Sequence, residues 1–194
     1  RFALLPAPTI LAAPAQAAIF IYGAGLTGSQ EPPPVRTSGT GFTTVTYDDV
    51  LHTLRIQVTF SDLMGTTTAS HMHIRPDELT PTGGVATQVP FFVGFPIGVM
   101  EGTYDNTFDL TLLSSWNPAF VTDNGGTAAG AESAFIAGLN NGLGYLNVHS
   151  TFVGSGETRG DLRLVPEPAT WAMMLLGFGA AGLVFRRRRA SGRA

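Results

Sequence analysis

The clearest pattern in the chain lies between residues 51 and 60, where Leu54, Ile56, Val58 and Phe60 alternate with Thr53, Arg55, Gln57 and Thr59. A period of two places one face of an extended strand in a core and the other in water, so this stretch predicts a half-buried β-strand. Shorter stretches repeat the signal. Residues 18–22 predict an N-terminal strand, and Leu26 to Glu31 begins as a strand and runs into Pro32-Pro33-Pro34, which cannot donate to a ladder. Thr40 to Tyr47 predicts another strand, turned by Asp48-Asp49, and Thr66 to Ile74 the next. Residues 89–95 are apolar and expected to be extended, and Thr107 to Leu112 alternates with Phe108, Leu110 and Leu112 facing inward. Ala131 to Leu139 reads as a short helix ended by Asn140-Asn141-Gly142, and residues 144–150 and 157–165 read as the last strands.

Seven or eight short strands separated by turns predict an all-β fold, an antiparallel β-sandwich of the immunoglobulin-like or superoxide-dismutase-like kind. Composition agrees: 24 Gly and 13 Pro with only 13% charged residues favour strands and turns over long helices. The chain has no cysteine, which excludes disulfides and thiolate metal sites. It also has no lysine, and five of its eleven arginines lie in the last nine positions. Between residues 18 and 165, five arginines face thirteen carboxylates, a formal charge of −8. Such a body repels nucleic acid, and a nucleic-acid role is set aside.

Both ends read as addresses. Residues 1–17 have the apolar character of a signal peptide remnant, with Ala15-Gln16-Ala17 as the small-residue cleavage signal, so the body is expected to span 18–165. At the other end, residues 166–194 contain Pro166-Glu167-Pro168, an apolar run over 169–185, and the cluster Arg186, Arg187, Arg188 and Arg189. Seventeen helical residues reach about 26 Å, enough for a transmembrane-type helix with snorkelling arginines. The arginines would stay cytoplasmic and the body would lie on the opposite side of the inner membrane. This order of parts resembles the PEP-CTERM sorting signal of Gram-negative bacteria. The resemblance implies an exosortase-type protease as partner, removal of the tail, and delivery from a transient inner-membrane anchor facing the periplasm to the cell surface or extracellular matrix.

The candidate chemistry is histidine. His71 and His73 are two apart on a predicted strand and so project to one face, and His149 closes another predicted strand. His52 stands at the start of its strand and is expected to be a partnered ring at the core edge. No Ser-His-Asp order, phosphate-binding glycine loop or paired-carboxylate spacing marks a catalytic site, and the reading leans away from an enzyme.

Three stretches of the body together resemble the CHRD domain: Leu26-Thr27-Gly28-Ser29-Gln30-Glu31 with the prolines after it, Ser70-His71-Met72-His73, and Tyr145 to Ser150 with Gly156 to Leu162. The resemblance covers roughly residues 20 to 165 and departs after His73, where Ile74-Arg75-Pro76 replaces the usual glycine, and in a longer insertion between Asp109 and Gly130. It implies an extracellular β-sandwich of ill-defined activity. The third histidine inside a family motif makes a metal site of His71, His73 and His149, taking copper or zinc, as good a reading as histidines that face solvent or loop carbonyls. Glu31 and Arg159, the other charged residues of these motifs, are expected to tie the first and last segments together as an ion pair or through backbone bonds. Function is then expected to be that of an exported binding or structural module meeting extracellular polysaccharide or protein. The alternative is a copper- or zinc-dependent extracellular enzyme on the same histidines.

Overall fold

A computed structural model describes residues 18–166. The sequence-level expectations for residues 1–17, for the helix at 169–185, and for Glu167, Pro168 and Arg186 to Arg189 lie outside the described residues. No helix among the described residues is long and apolar enough to cross a membrane.

The strands are β1 (Ile19–Thr27), β2 (Thr40–Asp48), β3 (Thr53–Ser61), β4 (Thr67–Ile74), β5 (Gly84–Val85), β6 (Gly102–Asp109), β7 (Gly144–Ser150), β8 (Thr158–Asp161) and β9 (Arg163–Leu164). Two helices, α1 (Pro118–Asp123) and α2 (Ala128–Asn140), separate β6 from β7. The all-β antiparallel expectation holds. All nine strands join one hydrogen-bonded sheet in the order β5-β4-β7-β8-β1-β2-β3-β6, with β9 added to β1, and the sheet curls into a half-barrel. Curling lets one sheet enclose its own core, because the segment between β5 and β6 bridges the two edges. Phe92 N–H donates to the Ser70 carbonyl on β4, while the Phe92 ring stacks on Tyr104 of β6 with centroids 5.7 Å apart.

The alternation read in β3 is the core face: Leu54, Ile56, Val58 and Phe60 are buried, opposite Tyr22, Leu26, Val45 and Tyr47 from β1 and β2. Helix α2 lies against this face. The hydroxyls of Tyr22 and Tyr47 donate to Asn140 Oδ1 at 2.6 Å and Glu132 Oε1 at 2.8 Å. Gly142, at φ 68°, then turns the chain out of the helix in the left-handed conformation that favours glycine.

Several boundaries differ from the sequence reading. Residues 89–95 form no strand. Phe92 and Phe95 are buried anchors three apart, with Gly94 at φ 78° between them, so side-chain packing replaces ladder bonds. Strand β6 begins at Gly102, before the expected Thr107, with Tyr104 and Phe108 buried, while Leu112 is exposed beyond its end. Asn117-Pro118 starts a helix: Asn117 Oδ1 accepts from Ala119 N–H, and Pro118 occupies the first turn, where its missing N–H costs nothing.

One buried carboxylate joins three separate segments. Glu157 is fully buried and accepts from Thr37 Oγ1 at 2.5 Å, Met64 N–H at 2.6 Å, Gly65 N–H at 3.3 Å and Ser150 Oγ. Burial pushes its pKa up, but the donors from Ser150, Thr37, Met64 and Gly65 outweigh burial and hold it below the ordinary 4.5. Glu157→Gln is expected to destabilise the fold by about 2–4 kcal/mol, seen as a lower urea midpoint. Because the folded pKa lies below the unfolded one, this contribution is complete above pH 4.5 and is lost as pH falls through the folded value. The acid slope of stability should therefore be shallower in the variant.

Candidate metal centre

Strands β4 and β7 pair antiparallel, with Ala69 opposite His149, His71 opposite Asn147 and His73 opposite Tyr145. Residues at alternate positions share a face, so His71, His73, Tyr145, Asn147 and His149 stand together on one side of this ribbon. Met72, Leu146 and Val148 point to the other side and enter the core. The sheet thus brings together all three expected histidines. Each offers one ring nitrogen such that the three atoms lie within 4.8 Å of one another.

The second nitrogen of every ring faces a backbone carbonyl. His71 Nε2 lies 2.5 Å from Pro90 O, His73 Nδ1 lies 3.0 Å from Gly83 O, and His149 Nδ1 lies 2.9 Å from Gly154 O. A carbonyl only accepts, so these nitrogens carry the protons and each tautomer is fixed. In the neutral rings, His71 Nδ1, His73 Nε2 and His149 Nε2 are left as lone-pair donors. His71 Nδ1 and His149 Nε2 are 3.2 Å apart, and two such acceptors cannot hydrogen-bond each other. Two nitrogens on one tetrahedral zinc, with bonds near 2.0–2.1 Å, stand about 3.3 Å apart. His73 Nε2 is buried and has no partner among the described residues.

Burial depresses all three pKa values. It lowers His71 against the pull of the Pro90 bond, lowers His149 against that of Gly154, and takes His73 down to about 4. The rings are therefore neutral at ordinary pH, which is the protonation state a metal requires.

The surroundings immobilise His73. Tyr145 stacks on it with centroids 4.6 Å apart and planes 5° from parallel, and the Arg159 guanidinium lies 3.5 Å from the Tyr145 centroid. Gly83 N–H donates to the Tyr145 hydroxyl, so Gly83 holds both rings of the stack. Arg159 is fixed in turn by Asp161 at 2.8 Å and by Pro81 O at 2.7 Å. Of the two ties expected of Glu31 and Arg159, an ion pair or backbone bonds, the first is not made: the two side chains form no ion pair with each other. Asp161, two residues along the same strand, takes the guanidinium, and Glu31 makes no ion pair among the described residues. The tie between first and last segments is instead backbone pairing, with Thr27 opposite Arg159, and the bond from Asp161 N–H to Gln30 Oε1.

Glu31 is nevertheless buried beside the centre. Burial raises its pKa, while the charge of Arg159 and the amide of Asn147 act the other way. Its Oε1 and Asn147 Oδ1 are buried without partners among the described residues, and with His73 they border a cleft of about 320 Å³ walled by Pro32, Pro33 and Pro34. Gly156 closes the cleft at φ 133°, where an added Cβ would stand 2.2 Å from Glu31 Oε1. His52 belongs elsewhere. It occupies a left-handed turn at φ 51°, half exposed, with Nδ1 2.9 Å from Glu132 Oε1, so its ring is partnered as expected, but by a helix carboxylate.

Asn147 and Tyr145 had a signal in the sequence, since they precede His149 at spacings of two and four on its strand; the three carbonyls had none. Nitrogen-15 NMR of the metal-free protein should show His73 and His149 protonated at Nδ1 and His71 at Nε2 at about pH 7.5, above the ordinary imidazole range. His73 should stay neutral until the pH approaches 4. The opposite tautomer at any of the three would break the convergence of lone pairs.

Comparison with known families places the CHRD domain on residues 22–162 and the PEP-CTERM protein-sorting motif on residues 164–189. No curated protein and no solved structure matches the chain. The sorting motif is a signal recognised by exosortase, and it marks the protein for Gram-negative-type export and association with the cell surface. With the first match covering most of its length, the chain belongs to the CHRD domain family and carries a PEP-CTERM sorting motif beside that domain.

Proposed function

We propose that this protein is an exported surface or matrix module that holds one first-row transition ion, copper or zinc, on His71, His73 and His149. The observation that carries the reading is the set of three carbonyls, from Pro90, Gly83 and Gly154, which fix three tautomers so that three lone pairs converge. Neutral imidazole suits both metals, and carbonyl partners of this kind are the usual outer support of histidine ligands. The ion would tie β4 to β7 and fix the loops that carry the three carbonyls. Before exosortase acts, the apolar run would hold the body at the inner membrane, and the released module would meet polysaccharide or protein outside the cell.

The cleft beside His73 favours a second reading, a copper or zinc enzyme with an open coordination position. Turnover of a small substrate by the loaded protein, lost in His73→Ala, would support it.

Mass spectrometry of the full chain, purified without a histidine tag and reloaded with copper or zinc, is expected to find about one equivalent of metal. The His71→Ala/His73→Ala variant should bind none, with unchanged circular dichroism. Tyr145→Leu, which removes the ring stacked on His73, should weaken binding by about 10- to 100-fold without abolishing it. A folded wild-type protein that stays metal-free after reloading would refute the metal reading and leave the export reading intact.

A further inference from the structure

The two ends of the described chain leave it side by side. Ala18 N–H donates to Asp49 Oδ1 at 2.8 Å, beside the β2–β3 turn, and Val165 N–H donates to the Ile21 carbonyl at 2.7 Å. Around this point six large apolar side chains, Ile19, Ile21, Val50, Leu51, Leu164 and Val165, are each between 36% and 67% exposed. A groove of about 300 Å³ runs between residues 18–21 and 164–166. Exposed apolar residues scattered singly need no explanation, but a cluster at one end of a domain marks a contact surface.

The chain itself indicates what covers this end. The apolar run begins at Ala169, three residues beyond Pro166. Three residues span at most about 11 Å whatever their conformation, so a run inserted in a bilayer leaves Pro166, at the edge of the groove, no farther than that from the hydrocarbon. That distance is comparable to the headgroup layer, into which apolar side chains bury by about 5–10 Å.

We propose that, while the tail is inserted, this apolar end seats on the phospholipid surface, so that the domain stands on the membrane instead of hanging from a loose tether. The proposal rests on the membrane-anchored state described under Proposed function. The formal charge of −8 over residues 18–165 rules out attraction to anionic lipid as the driving force. Apolar burial drives the seating, which therefore occurs on zwitterionic lipid and resists salt. The candidate metal centre then stands off from the membrane, because Leu164 lies opposite Tyr22, five residues or about 17 Å along β1 from Thr27, at whose level Arg159, Asn147 and His71 pair.

The absence of cysteine makes the test direct. Four single-cysteine variants of the full chain, Ile21→Cys, Leu51→Cys, Met64→Cys and Leu176→Cys, each take an environment-sensitive fluorophore and are reconstituted in phosphatidylcholine vesicles with brominated acyl chains. Met64 is exposed in the β3–β4 turn, beyond Ser61, which pairs with Thr40 and through it with Thr27 at the far end of β1. Emission from positions 21, 51 and 176 is expected to be quenched, that from position 64 is not, and the pattern should persist in about 0.5 M NaCl. Quenching at 176 with positions 21 and 51 as bright as 64 would overturn the seated domain and leave the anchor standing. No quenching at 176 would overturn the anchor and the proposal together, and quenching at 21 and 51 that vanishes in salt would overturn apolar seating.

Discussion

The structure depends most on the Glu157 carboxylate. A fully buried charge is costly unless its oxygens are met by donors, and here Thr37, Met64, Gly65 and Ser150 meet them. These donors come from the approach to β2, the β3–β4 turn and the end of β7, three places far apart in sequence. One side chain therefore fixes how the β1-β2-β3 half of the sheet meets the β4-β7 ribbon. His149 is the residue before Ser150, so the interaction that closes the sheet also sets the height of the third ring.

The candidate centre is a consequence of strand pairing. Antiparallel register between β4 and β7 makes His71 and His149 diagonal neighbours, and alternation on β4 adds His73. Loops then cover the face that a sheet of this kind would otherwise expose to water: residues 81–90 supply Pro81, Gly83 and Pro90, and the turn after β7 supplies Gly154. Covering the face depresses the histidine pKa values by removing water. The same covering presents the carbonyls that select the tautomers. Neutrality and orientation thus share one cause.

Much of this was legible in the chain, for stated physical reasons. Strands β2, β3, β4 and β7 are half-buried or carry like residues at alternate positions, so period two exposed them and the histidine pair. Strand β6 was displaced in the reading because Asp105 and Asn106 look like turn residues, although in the sheet Asp105 binds Arg55 of the neighbouring strand. Trp116-Asn117-Pro118 reads in the sequence as a break after the strand; in the structure Asn117 caps α1 and Pro118 opens it, with Val121 and Trp116 packed in the core. Glu31 and Arg159 are read from the sequence as tying the first and last segments by an ion pair or backbone bonds; which carboxylate takes the guanidinium depends on register, and Asp161 on the same strand as Arg159 is in position for it. The carbonyls around the histidines depend on where irregular loops run, which no local pattern encodes.

One of those loops would govern the proposed metal equilibrium itself. Pro90, whose carbonyl fixes His71, lies in the same irregular segment as Phe92 and Phe95, which pack onto β6, and as Val99, which accepts from Thr67 N–H. Ordering this segment and preparing the His71 lone pair are therefore one event. An ion bound as proposed would, by linkage, slow hydrogen exchange across residues 86–100, and a solvent that loosens those residues would release it. The lability of such a centre would be set by a stretch of chain that contributes no ligand to it.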